Sequence, residues 1–384
     1  MPGQTFYNKK PYVFIPIVQN VRYNPVQSRQ DALTSECGII RVSITAHSPL
    51  HFGQGKLLAD TSSSQVGFTH ALSRENGRLV LPGSSFKGML RAFFEAITNS
   101  CILFTTRNID TRKALPVANR SVCPKKVEFD TPNTNKYAPN IGLCPACSIF
   151  GSLGYKGKLS FSPFYAREDT KIKSYVIPQL QTPFRDYPRD KAHANRGNER
   201  LYYGVLPGRH GAEVGNLTKQ EFFDEKRKHP NTNIRFYGRK FYKHANKPEI
   251  GNESVGNTFE CLEPGAVLEG TIGYQGLREE ELAALVFSLG LGWATPIYHK
   301  LGYAKPAYFG SVSIAIEAID MPERYRNIGV SRNTQSIKEL AVRYRAGADG
   351  DVLSAIEAFE QTWSSLDEPS QWSAPQEGGQ NRMY

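Results

Sequence analysis

Nothing in this 384-residue chain approaches the run of about 18 apolar residues that a membrane-spanning helix needs, so none is expected. The opening residues, Met1-Pro2-Gly3-Gln4-Thr5-Phe6, lack a basic segment followed by an apolar one. That argues against a secretory leader and makes the cytoplasm the expected compartment. Cysteine is scarce, with six residues: Cys37, Cys101, Cys123, Cys144, Cys147 and Cys261. Without a leader these read as thiols or metal ligands, not as a disulfide framework. The G-x-x-x-x-G-K-[ST] nucleotide-binding loop is absent, and so is any short-period repeat.

Positive charge is abundant. Lys and Arg total 47 against 36 Asp and Glu, a formal net charge of +11. Such an excess favours a polyanionic partner. It is uneven: residues 185–245 hold 14 Lys/Arg against 7 Asp/Glu, whereas residues 320–384 hold 7 against 10. A hydrophobic content of 40% is that of a globular protein with ample core.

Secondary structure is patchy in the first two thirds and clearer afterwards. Residues 1–36 are broken by Pro11, Pro16 and Pro25 and read as an arm, with Tyr12-Val13-Phe14-Ile15 as a short strand. Ile39 to Ala46 is β-rich and alternates, a first sheet strand. A polar loop is expected from Ser48 to about Ser64, a second strand near 78–81 and a helix from about 84 to 98. Residues 105–145 look irregular, and Leu159 to Phe164 returns to strand. Ala266–Tyr274 predicts a strand, Arg278–Gly290 a helix, Gly310–Ile316 a strand and residues 336–365 helix. The expected class is α+β with a ferredoxin-like β-α-β-β-α-β plan, the topology of RRM domains.

Four stretches carry candidate chemistry. In Leu81-Pro82-Gly83-Ser84-Ser85-Phe86-Lys87-Gly88-Met89-Leu90-Arg91 a strand turns into a helix. Ser84 or Ser85 is the expected cap, and Lys87 and Arg91 flank a helix N-terminus suited to phosphate. Cys144-Pro145-Ala146-Cys147 can hold one face of a Zn²⁺ tetrahedron, with Cys123 as third ligand. Cys101, His70 or a later histidine is open as the fourth, Cys101 being taken first. Asn233 to His244 interleaves Phe236, Tyr237, Phe241 and Tyr242 with Arg235, Arg239, Lys240 and Lys243. Aromatic planes and cations together suit single-stranded RNA, and an edge strand with one basic face is the plainer alternative. His299 to Val312 is a loop that can offer Lys300 and Lys305 to phosphates.

Pro82-Gly83-Ser84-Ser85-x-Lys87-Gly88-x-x-Arg91 after a strand closely resembles the RAMP superfamily, RNA-binding backbone proteins of type III CRISPR effector complexes of the Csm and Cmr kinds. Cys144-Pro145-Ala146-Cys147-Ser148-Ile149-Phe150-Gly151 resembles a motif that many members carry at this place, and some of those members bind zinc. The 299–312 loop is similar to the family's Gly-rich loop, but Ala304, Ala307 and Tyr308 stand where glycines are common. The resemblance covers roughly residues 39–315 and implies a ferredoxin-like (RRM-like) core at 37–319, with a zinc-binding insertion at about 105–150 and a basic one at 185–245. The arm at 1–36 and a helical extension with a mobile tail at 320–384 are read from the residues alone. The resemblance further implies guide and target RNA and other RAMP-type subunits as partners. In some members an aspartate in the loop after the first strand promotes target cleavage. The matching stretch here, Gln65 to Leu72, has no acid, and Asp60 lies just upstream. An endoribonuclease subunit acting through Asp60, with His51 and His70 available for proton transfer, is therefore a second expectation. An unrelated zinc-stabilised RNA-binding protein is a third.

Overall fold

The computed structural model describes residues 11–17, 21–25, 36–60, 67–101, 123, 125–126, 141–178, 180, 204–205, 235–236, 239–245, 247–251, 257–320 and 334–366. Its main strands are β1 (Tyr12–Ile15), β2 (Glu36–Ala46), β3 (Gly53–Asp60), β4 (Gly67–Leu72), β5 (Arg78–Leu81), β6 (Leu159–Phe161) and β7 (Phe164–Ala166). They continue with β8 (Ile172–Ile177), β9 (Arg239–Tyr242), β10 (Asn257–Leu262), β11 (Val267–Leu277), β12 (His299–Lys300) and β13 (Ser311–Asp320). The helices are α1 (Gly83–Ala96), α2 (Pro145–Phe150), α3 (Glu279–Ser288), α4 (Thr334–Ala346) and α5 (Gly350–Trp363).

The alternation read in β2 buries Ile40, Val42, Ile44 and Ala46. β2 lies between β11 and β13, antiparallel to both, with Ile44 opposite Leu268 on one side and Ile314 on the other. β6 and β7 continue the sheet beyond β11. Taken in chain order as β2-α1-β6/β7-β11-α3-β13, the spatial order β13-β2-β11-β6/β7 is that of a ferredoxin-like unit. The α+β ferredoxin-like class is therefore observed. β5 pairs with β7 at one edge and β12 with β13 at the other.

The polar stretch after Ser48 is not a loop. β3 and β4 form a hairpin in a second sheet of order β8-β10-β4-β3. Residues 53–59 of β3 are exposed throughout, so cross-strand hydrogen bonds hold this strand and burial does not. Without a buried face there is no alternation for the sequence to display.

The first and last described elements pack into the core. β1 pairs with β9, Tyr12 opposite Tyr242 and Ile15 opposite Arg239. The C-terminal helices cover α1 and α3. Ile337, Leu340, Ala341, Ile356, Phe359 and Trp363 all belong to the main hydrophobic cluster.

The open face of the ferredoxin sheet differs from that of an RNA-stacking RRM. Arg41 pairs with Asp320 at 2.7 Å and Arg167 with Glu269 at 2.6 Å. Ser43 donates to Glu317 and Tyr165 to Glu75. Carboxylates and small residues occupy the place where RRM domains present aromatic rings, so the shared topology does not bring the shared surface.

Candidate metal centre and nucleic-acid interface

α1 starts directly after the Pro82 turn, earlier than the serine caps predict. Its N-cap is Pro82, no side chain caps it, and its first turn holds no acid. Ser84 and Ser85 lie inside the first turn and are exposed. Ser85 donates its amide to the Pro82 carbonyl at 2.9 Å. A Cβ on Gly83 would come within 2.5 Å of the Ser162 carbonyl oxygen, so close packing on the β6–β7 turn requires glycine there. Gly88 is the opposite case: a Cβ would meet nothing within 4 Å. Ser84, Ser85 and Gly88 are exposed on α1 and Lys87 is half-buried beside them.

Arg91 faces the other way. It bonds Glu95 at 2.8 Å, the Gly151 carbonyl at 2.9 Å and Cys147 Sγ at 3.5 Å. These bonds tie up the guanidinium that the sequence offered to phosphate.

The sulfurs of Cys101, Cys123, Cys144 and Cys147 lie within 4.8 Å of one another. The open fourth position therefore goes to Cys101, and His70 stacks on Phe259 in the second sheet instead. Cys144 Sγ is 3.5 Å from Cys101 Sγ, which is 3.8 Å from Cys147 Sγ. Four thiolates around one ion with metal–sulfur bonds of about 2.3 Å form a tetrahedron with edges of about 3.8 Å, so the spacing fits. Backbone amides supply further support: Cys144 N–H points at Cys123 Sγ, 3.2 Å, and Cys147 N–H at Cys144 Sγ, 3.5 Å. These four residues can hold a metal ion. Around them, Asn24–Pro25 pairs with Leu143 and Gly142, and Lys125–Lys126 with Gly142 and Ile141, so the N-terminal arm and the insertion meet there.

Glu281 braces α2 from behind, a role with no sequence signal. Its carboxylate accepts from Ser148 Oγ at 2.7 Å, Lys158 Nζ at 2.7 Å and the Arg278 amide at 3.0 Å. Burial pushes its pKa up, but Lys158 and Arg278 outweigh burial and hold it below the usual carboxylate value.

The aromatic–cationic run divides. Arg239 is buried against Glu95 at 3.2 Å and the Cys101 carbonyl at 3.3 Å. Phe241 packs edge-on to Phe359 and Trp363, centroids 4.9 and 5.2 Å away. Lys240 sits over the rings of Tyr12 and Tyr242 at 4.4 and 4.7 Å. Burial raises Tyr242 to about 12, which keeps its hydroxyl neutral. β9 is thus a packed strand, with all four of its residues partly buried. Arg235 lies in a two-residue strand paired with Gly204–Val205. Most of residues 105–140 and 185–234, with the basic excess, lie outside the described residues.

In the 299–312 loop Lys300 turns inward, 4% exposed, and donates to the Phe309 carbonyl at 3.1 Å and Ser311 Oγ at 2.9 Å. It ties the loop to itself and offers no exposed ammonium to RNA. Lys305 is half-buried. Ala304 and Tyr308 hold φ of 55° and 65°, left-handed angles that glycine adopts freely. The loop backbone therefore keeps a glycine-like path without the glycines, at a cost of about 1 kcal/mol or more per residue.

Asp60 ends β3 opposite Gly67 in the β3–β4 hairpin, whose Leu57, Leu58 and Phe68 are exposed. Exposed Lys56 lies on the same hairpin, and Lys171 and Lys173 lie along the edge of the second sheet. None of the three carries a sequence signal, because isolated lysines form no pattern, and they lie at opposite edges of the sheet. His51 is buried and donates through Nδ1 to the Glu260 carbonyl at 2.6 Å. Burial lowers its pKa.

No helix among the described residues is long and apolar enough to cross a membrane. A search of curated proteins gives no match. The family model of the RAMP superfamily matches residues 43–296, about two thirds of the chain, from β2 to the approach to β12. The span takes in the ferredoxin-like sheet, the Pro82–Arg91 turn and the Cys144–Gly151 motif, and by that match the chain belongs to the RAMP superfamily.

Proposed function

We propose that this protein is an RNA-binding backbone subunit of a type III CRISPR effector, holding guide RNA by its phosphates in the cytoplasm and packing against other RAMP-type subunits. RAMP membership supplies the CRISPR-associated RNA-binding setting. The observation that carries the reading is the N-terminus of α1: uncapped, free of acids, bordered by exposed Ser84 and Ser85, with Lys87 beside it and open space at Gly88. A glycine inside a helix costs about 0.5–1 kcal/mol relative to alanine, and no neighbour among the described residues explains it. An RNA backbone passing over this face does, and the free amides suit its phosphates. Lys240, Tyr242, Lys305 and Arg235 remain candidate contacts, with Lys56, Lys171 and Lys173 added.

The four-cysteine site is proposed to hold structural Zn²⁺, which four thiolates at tetrahedral spacing suit best. Bound there, the ion would close the insertion on itself and on α1 without touching RNA.

A second reading, target cleavage through Asp60, is favoured by the position of that residue on a hairpin with exposed Leu57, Leu58 and Phe68. Loss of target cleavage by the assembled complex on Asp60→Ala would support it, and unchanged cleavage would remove it.

Purification from the native cell should yield the chain with partner subunits and RNA of fixed length. Lys87→Ala should weaken guide binding equally for every sequence and reduce the salt slope by about one unit, as loss of one phosphate contact requires. An unchanged slope would leave α1 a surface helix.

A further inference from the structure

Four thiolates around a divalent ion carry a net charge of about −2, and burying such charge uncompensated costs several kcal/mol. Cys101, Cys144 and Cys147 are buried here and Cys123 is half-buried. Two guanidiniums answer that charge. Arg91 Nη2 is 3.5 Å from Cys147 Sγ, and Arg239 Nη2 is 3.3 Å from the carbonyl of Cys101. Between them Glu95 accepts from Arg91 Nε at 2.8 Å and from Arg239 Nη1 at 3.2 Å. The side chains of Glu95 and Arg239 are each 12% exposed and that of Arg91 is 29% exposed, so a buried carboxylate fixes both cations.

We propose that Arg91, Glu95 and Arg239 are positioning residues of the metal centre. Arg91 supplies counter-charge to the Cys147 thiolate, Arg239 fixes the backbone of Cys101, and Glu95 holds both arginines in place. The assignment rests on the metal reading of the four cysteines. It gives Arg91 and Arg239, both candidate phosphate contacts by sequence, a different task. Cys123, Cys144 and Cys147 belong to the first insertion and Arg239 to the second, so the cluster joins residues of both. Outer-shell partners of this kind typically change metal affinity about 10–100-fold when removed.

The test uses the full-length protein as purified. Elemental analysis gives the metal content, and transfer of metal to a chromogenic chelator without denaturant gives the release rate. Urea unfolding of the same samples gives global stability. Arg91→Ala and Arg239→Ala should release metal about 10–100-fold faster than wild type, with Arg91→Lys intermediate because it keeps charge but loses the fork. Phe259→Ala, in a separate hydrophobic cluster, should lower the urea midpoint without a matching gain in release rate. Should an alanine variant fail to fold, Arg91→Lys still reports on the assignment. Cobalt(II)-substituted Arg91→Lys should show a shifted thiolate-to-cobalt charge-transfer band. Metal-bearing wild type with unchanged release and unshifted spectra in the arginine variants would overturn this assignment and leave the metal reading standing. Metal-free wild type would overturn the metal reading, and the assignment with it.

Discussion

The indole of Trp363 lies flat against the ring of Phe93, with centroids 5.6 Å apart and planes 2° apart. One ring comes from the last helix and the other from α1, so the C-terminal helices cap the helix that begins at the proposed RNA contact. Trp363 Nε1 also donates to the Tyr242 carbonyl at 3.1 Å, and its own carbonyl accepts from the Tyr298 amide at 3.0 Å. Trp363→Ala should cost about 3–5 kcal/mol, as for other large aromatics removed from a core. Urea unfolding measures it. A loss under about 1 kcal/mol would make α5 an appendage instead of a core element.

Glu281 holds Lys158, Ser148 and Arg278 together with its side chain 4% exposed. Glu281→Gln leaves the Lys158 ammonium without its countercharge and should destabilise by about 3 kcal/mol, the lower end for a broken buried pair. Adding Lys158→Met should recover part of that loss. Chemical denaturation of the two single variants and the double variant gives the coupling energy.

Gly88 separates stability from binding. Gly88→Ala should raise stability by about 0.5–1 kcal/mol, because it fills open space in a helix interior. Gly88→Leu should also fold, but it should weaken RNA binding by projecting where the nucleic-acid backbone passes. Thermal unfolding and equilibrium RNA binding on the same samples check both. Full RNA affinity in Gly88→Leu would move the contact elsewhere.

Acid should weaken the fold through its buried histidines, His299 and His244 as well as His51. Burial lowers His299 from 6.5 to about 4 and takes His244 well below 6.5. Both stay neutral in the fold, while in the unfolded chain they take up protons below about 6.5. Between about pH 6.5 and 4 the unfolded state therefore binds more protons, and stability falls as pH falls. Each histidine contributes a slope of up to about 1.4 kcal/mol per pH unit. His299→Phe places an apolar ring beside Phe93 and removes one of these contributions. Urea midpoints measured across this range should show a shallower pH dependence for the variant. An unchanged slope would assign the acid sensitivity to other groups.

The sequence by itself determined what depends on near neighbours in the chain. Alternation in Ile40 to Ala46 fixed the buried face of β2, and Pro82-Gly83 placed the start of α1 within a residue or two. Cys144-x-x-Cys147 announced a ligand pair because two thiolates at that spacing share one side of a turn. Tertiary structure decided whatever needed a distant partner. The exposed strand β3 has no pattern of its own and exists through its ladder with β4. Cys101 was one of several candidates until folding brought its sulfur 3.8 Å from that of Cys147, 46 residues away. Arg91, Arg239 and Lys300 look alike as exposed cations in a linear chain. Glu95, 144 residues before Arg239, and the carbonyl of Phe309 turn all three into internal braces. A side chain's charge is local information. Whether that charge meets solvent, a carboxylate or a thiolate depends on which segments pack against it, and that is settled only when the chain folds.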